Sequence, residues 1–192
     1  MTTKLVRSVA ALVIVTVLAI QLNTATGRGV NVVNYLSYFT NFSNACAAAV
    51  LVCLAVRPSL GVSDRFTIFR GAVTLCMCLT ALFYGIFISP GFDGVVRHGL
   101  GPIILLADWI LHPPPRQTFK PIIQWPILPI SYFAYTLVRG SVVGWYPYKF
   151  LDPGNAGWPG VISFALAIML LLLVISFLLL RTTQRPQAQH SF

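Results

Sequence analysis

The chain alternates long apolar runs with short stretches of proline, glycine and charge. The runs cover positions 8–22, 38–56, 66–89, 98–111, 122–138 and 161–180. Each predicts a membrane-spanning helix, because a hydrocarbon core about 30 Å thick takes about 20 apolar residues and offers no water to backbone groups. The fourth run is short for that span. The fifth carries Pro126 and Pro129, whose freed carbonyls need a neighbour or water. Between the runs stand Pro58 with Gly61, Pro90-Gly91, the triplet Pro113-Pro114-Pro115, and a loop from Arg139 to Gly160, all poor helix interior. The first run follows Lys4 and Arg7 as a signal peptide would. Asn23-Thr24-Ala25-Thr26-Gly27 makes a poor cleavage site, which predicts an uncleaved first span.

One run departs from the apolar pattern. The second opens with Tyr38-Phe39-Thr40-Asn41-Phe42-Ser43-Asn44, and Thr40, Ser43 and Asn44 at i, i+3 and i+4 share one helix face. That face continues as Ala47, Val50 and Leu51, a small-then-apolar stripe suited to close helix packing. Hydroxyls and amides in hydrocarbon are unfavourable without partners, so this face is expected to point into the protein or a polar cavity. The match of Asn41-Phe42-Ser43 to a glycosylation acceptor lies within a span and carries no weight.

Composition agrees with the pattern: 57% of the 192 residues are hydrophobic and 9% charged, with a mean hydropathy of +0.80. The expected fold is all-α, a polytopic membrane protein of six helices in one domain, with a short polar tail over 181–192. A net charge of +9 raises the question of nucleic acid, but the bases form no patch interleaved with aromatics, so none is expected. They fit membrane orientation instead. With the amino terminus inside, Lys4, Arg7, Arg57, Arg65, Arg70, Arg116, Lys120, Arg181 and Arg185 fall inside, against Arg28, Arg97, Arg139 and Lys149 outside. That nine-to-four bias predicts both termini in the cytoplasm, in a plasma (inner) membrane. Cys46, Cys53, Cys76 and Cys78 all lie in apolar segments and read as free, buried thiols. Cys76-x-Cys78 lacks metal-ligand spacing, and no metal or cofactor is expected.

This topology brings polar residues from distant segments to one depth near the outer surface. Thr40 with His98 can make a nucleophile and general base, since a hydroxyl attacks an acyl carbon only when a neighbouring group takes its proton. Ser43, Asn44, Arg139, Trp145 and Tyr146 are candidate substrate-binding residues, with Arg139 and the asparagines as donors to an oxyanion or carboxylate. The alternative is that the hydroxyls bond to carbonyls of their own helix and His98 is interfacial. Asp108 lies ten residues beyond His98, so a continuous helix puts it about 15 Å deeper. It is either a functional acid within a span or the partner of a base such as Arg116 or Lys120. The aromatic stretches 132–140 and 144–153 suit an interfacial belt and a defined loop. No nucleophile elbow, zinc-protease helix, phosphate loop or dinucleotide fingerprint is present.

Taken together, Tyr38-Phe39-Thr40 to Asn44, His98 with Pro102 and Asp108-Trp109, and Arg139-Gly140 through Trp145-Tyr146-Pro147-Tyr148 to Leu151-Asp152 resemble bacterial six-pass membrane proteins related to the eukaryotic androgen-induced membrane hydrolases. The resemblance covers about Tyr38 to Asp152. It implies a hydrolase of fatty-acyl, lipid-like esters with Thr40 as nucleophile and His98 as base, the acid ten positions on being Asp108. Gly99-Leu100-Gly101 is one residue shorter than the eukaryotic spacing between histidine and proline, and Ser43-Asn44 look particular to the bacterial branch. Membrane lipids and a lipid-like ester are the implied partners. The competing expectation is a non-enzymatic membrane protein that binds lipid or a protein partner. A small transporter is disfavoured because the ionisable residues line no path across the bilayer.

Overall fold

A computed structural model of the chain describes residues 2–87 and 96–184. The predicted end of the third span at Ser89, the Pro90-Gly91 break, Asp93, Arg185 and the rest of the tail lie outside the described residues, as does the side chain of Arg97. What is described is helical: α1 Thr2–Gly27, α2 Val32–Leu36, α3 Phe39–Val56, α4 Asp64–Phe87, α5 Gly101–Leu111, α6 Pro121–Gln124, α7 Ile127–Val143 and α8 Pro153–Thr183. Two 3-10 turns, Pro58–Val62 and Lys149–Leu151, and a π-helical turn, Val96–Leu100, complete it.

Among the described residues, four helices are long and apolar enough to cross a membrane: α1, α3, α4 and α8. Their length and composition are those of membrane-spanning helices. The fourth and fifth runs are shorter, with α5 at 11 residues and α7 at 17.

Several boundaries differ from the sequence reading, each for a local reason. α1 begins before Lys4 and Arg7 rather than after them. α2 arises in the first loop because the Asn31 side chain accepts the Val33 N–H at 2.7 Å, capping a helix too short to show periodicity. The fifth run divides at Trp125-Pro126, so its first turn is the separate α6. α7 then continues through Arg139 and ends only at Gly144, whose φ of 65° is the left-handed conformation that glycine reaches without strain. The loop expected over 139–160 therefore shrinks to 144–152. α8 starts early because Asp152 caps it, accepting the Gly154 N–H at 2.8 Å, with Pro153 at its first position. It bends at Gly157, φ 67°, just ahead of Pro159.

α3 and α4 are the most buried spans, and α1 and α8 lie at the periphery with most of their surface exposed. Ala10, Ala11 and Ile14 of α1 pack on Ala47, Val50 and Leu51 of α3, the small-residue face that allows two backbones to approach. A second cluster joins Leu75, Leu79, Trp109, Trp125, Leu172 and Leu179. Trp109 and Trp125 meet edge to face with centroids 5.4 Å apart. Trp125 fits only because residue 71 is glycine: a Cβ there would run into the indole. All four cysteines are free, and Cys53 lies on an exposed face rather than in the core.

Candidate functional site

The polar face of α3 has two uses. Its inner positions tie helices together. Ser43 Oγ donates to the Phe39 carbonyl at 2.7 Å and stands 3.0 Å from Thr80 Oγ1 of α4. Asn44 Nδ2 donates to the Thr40 carbonyl at 2.8 Å, and its other end lies where a Cβ on Gly101 would sit, so the glycine lets the start of α5 close onto α3. Asn41 Nδ2 donates to the Tyr35 carbonyl at 2.8 Å, holding α2 against α3. These side chains are all buried.

Thr40 is placed differently. It lines a cavity of about 310 Å³ bounded by α3, α4, α7, α8 and the 144–152 loop, and His98 lines the same cavity. His98 stands on the π turn that leads into α5, a widened turn of the kind that recurs at functional sites. Each of the two is 8% exposed. Thr80, Tyr132 and Tyr148 are the other polar side chains of the wall, and the rest is apolar, chiefly Phe83, Phe133, Phe150 and Phe164. Phe150 anchors the aromatic part, 4.3 Å from Phe164 and 5.1 Å from Tyr148 between ring centroids.

Tyr148 does what no side chain of α3 does for itself. The N-cap, Tyr38, makes no side-chain cap, so the first amides of α3 need an acceptor from elsewhere. The Tyr148 phenol oxygen accepts the Phe39 N–H at 3.1 Å and faces both the amide and the hydroxyl of Thr40. Burial pushes this phenol up to about 12, against the pull of those hydrogen bonds, so it keeps its proton at neutral pH. Tyr132 is fixed too: its hydroxyl donates to the Ser37 carbonyl at 2.7 Å, and its ring meets Phe39 at 4.9 Å.

The remaining candidates lie away from the cavity wall. Arg139 NH2 donates to Asn34 Oδ1 at 2.6 Å, and its guanidinium covers the Trp145 ring at 5.2 Å. Trp145 packs edge to face on Tyr38, and Tyr146 fills the space over Gly140 that a Cβ would occupy. These three form a seam joining α2, α7 and the loop.

Asp108 belongs to another cluster altogether, at the opposite end of the bundle. It accepts from Arg7 Nε at 2.7 Å and from Arg70 NH2 at 2.9 Å, and His112 Nδ1 lies 3.4 Å away. Arg70 also donates to the carbonyls of Asp108 and His112, at 2.8 and 3.0 Å, and lies over Trp109 at 5.2 Å. The partners expected from nearness in sequence, Arg116 and Lys120, are not the ones found: Arg116 bonds to Gln184 instead. Asp108 thus joins α1, α4 and α5 as a structural ion cluster and takes no part in the cavity.

Sequence reasoning missed Tyr132, Tyr148 and Thr80 as cavity residues. The two tyrosines were visible only as part of the aromatic density on either side of Arg139. Among the described residues, no group of three histidines, cysteines or acids is placed to hold a metal ion. Compared with known proteins, the chain matches no family model, no curated protein and no solved structure.

Proposed function

We propose that the protein is a membrane hydrolase of lipid-like esters, with Thr40 as nucleophile and His98 as base. The observation that carries this reading is the cavity itself. A threonine and a histidine 58 positions apart in sequence (98 − 40) line one chamber whose other walls are mostly aromatic and aliphatic. Its volume is at the small end of ligand sites, enough for the ester and the adjoining part of an acyl chain. In the proposed reaction Thr40 Oγ1 attacks the ester carbonyl carbon as His98 takes the hydroxyl proton. The carbon–oxygen ester bond breaks, the proton leaves with the alcohol, and the acyl group stays on Thr40. Water, deprotonated by His98, then releases the acid and restores the threonine. Tyr148 holds its phenol at the first turn of α3 beside the Thr40 hydroxyl, where it can donate to the developing oxyanion. Arg139, engaged by Asn34 and Trp145, is not needed for that role.

The surrounding architecture in this reading is six spans with both termini in the cytoplasm, α5 and α7 completing the set begun by the four long helices. The supporting observation is that Arg7, Arg70 and Asp108 gather at one end of the bundle and Thr40 and His98 at the other, as alternating helix directions require.

The test is hydrolysis of fatty-acyl esters of graded chain length by purified protein in detergent. Thr40→Ala and His98→Ala are each expected to lower the rate by about 10²-fold or more. A second reading, that the chamber holds an acyl chain without chemistry, draws on its nearly apolar wall. Ester binding at wild-type strength with no turnover would favour it.

A further inference from the structure

A second recess lies at the ion-cluster end, where α8 leaves the bundle. It measures about 630 Å³ and is formed by residues 116–119 on one side and the last turns of α8 on the other. Its walls are braced. Arg116 Nε donates to Gln184 Oε1 at 2.7 Å, and Gln184 Nε2 donates to the Gln117 carbonyl at 2.6 Å. Trp109 Nε1 donates to Thr182 Oγ1 at 2.8 Å, fixing the end of α8 at the level of the ion cluster.

Two cations face this recess. Arg116 uses only its Nε in the bond to Gln184, which leaves its terminal nitrogens for a ligand. Arg181 lies over the Phe177 ring at 4.7 Å, and among the described residues no hydrogen bond or ion pair engages its guanidinium. Among the described residues, no acidic side chain lines the recess. Asp108 is already held by Arg7 and Arg70, so among the described residues no carboxylate is left to pair with Arg116 and Arg181.

An apolar track leads into the same place. Leu166, Leu170, Leu173 and Phe177 are exposed, at 67%, 66%, 39% and 39%, and recur at i, i+4, i+7 and i+11 on one face of α8. At about 1.5 Å per residue that stripe is roughly 16 Å long, about half of a ~30 Å hydrocarbon core and so one leaflet deep. A headgroup-sized basic recess at the end of a leaflet-long apolar stripe has the shape and charge of one kind of molecule. We propose that it binds an anionic phospholipid, its phosphate between Arg116 and Arg181 and one acyl chain along α8 from Phe177 to Leu166.

The test uses the delipidated full-length protein in a non-ionic detergent, with thermal unfolding and lipid titration as readouts. Phosphatidylglycerol is expected to raise the unfolding temperature where phosphatidylcholine at the same concentration does not. Arg116→Gln with Arg181→Gln is expected to weaken phosphatidylglycerol binding roughly 30-fold, about 1 kcal/mol for each base. Arg57→Gln with Arg65→Gln, which removes two bases elsewhere, is expected to leave it unchanged. Arg181→Gln alone carries the test if the double variant does not fold, since that side chain makes only the contact with Phe177. Four results would each overturn the proposal: equal stabilisation by the two lipids, a preference that survives loss of Arg116 and Arg181, an equal loss in the Arg57/Arg65 variant, or the same shift from inorganic phosphate alone.

Discussion

At one end of the bundle Asp108 meets Arg7 and Arg70 at 2.7 and 2.9 Å, and indole and aliphatic side chains close the space around them. At the other end Thr40, His98 and Tyr148 stand around a chamber of about 310 Å³. Both ends place polar groups where hydrocarbon penalises them, yet the ion cluster itself is solid, the recess at Arg116 and Arg181 lying beside it, while the Thr40 cluster is hollow. The solid end joins three helices through one carboxylate, which takes up Arg7 Nε and Arg70 NH2, while Arg70 Nε stays buried without a partner. The hollow end fixes its side chains from behind and leaves their working faces towards empty space. The Phe39 N–H anchors Tyr148, and the Ser37 carbonyl anchors Tyr132. The contrast separates polar groups that hold the fold from those that line a cavity, where the proposed chemistry is placed.

Substitutions at the solid end are the harshest way to sharpen that contrast. Asp108→Ala strips the counter-charge from two buried arginines and is expected to cost about 3–5 kcal/mol, read by thermal unfolding in detergent. Thr40→Ala at the hollow end is expected to change stability by no more than about 1 kcal/mol. Equal losses from the two would erase the distinction. Next in size is Gly71→Ala, which forces a methyl into the Trp125 indole and is expected to cost about 1–3 kcal/mol by overpacking. A variant as stable as wild type would show that Trp125 has room to move.

A smaller effect belongs to the helix joints. Ser43→Ala removes the α3–α4 bond to Thr80 and is expected to cost about 0.6 kcal/mol, the usual worth of an interhelical hydrogen bond in a membrane. Because Ser43 lies behind the chamber wall, ester affinity should not change with it. A large loss of affinity at unchanged stability would return Ser43 to the substrate site.

The helical architecture was legible because apolar length and breakers such as Pro58, Gly61 and Pro113 are local properties. So was the inward direction of Thr40, Ser43 and Asn44, since hydrocarbon penalises unpartnered polar groups whatever the fold. What those side chains do there was legible only as two alternatives, bonds to their own helix or a place in a site, with nothing to divide the residues between them. Ser43 and Asn44 reach carbonyls of their own helix, while Thr40, on the same face one turn earlier, lines the chamber. The partners of Asp108 were hidden for the same reason: they lie 101 and 38 residues away, and only packing selects them over Arg116. Arg139 was misplaced because a helix that continues past its last apolar run is marked only by where the next glycine falls.

The claim that the hollow end does chemistry rests on an activated hydroxyl at Thr40. The most direct measurement is reaction of the purified protein with a fluorophosphonate probe, followed by peptide mapping of the modified residue. The account predicts a single adduct on Thr40, absent from Thr40→Ala and from His98→Ala at matched folded yield, and retained in Ser43→Ala. A well-folded wild type that takes no label, or a label that persists in Thr40→Ala, would contradict it.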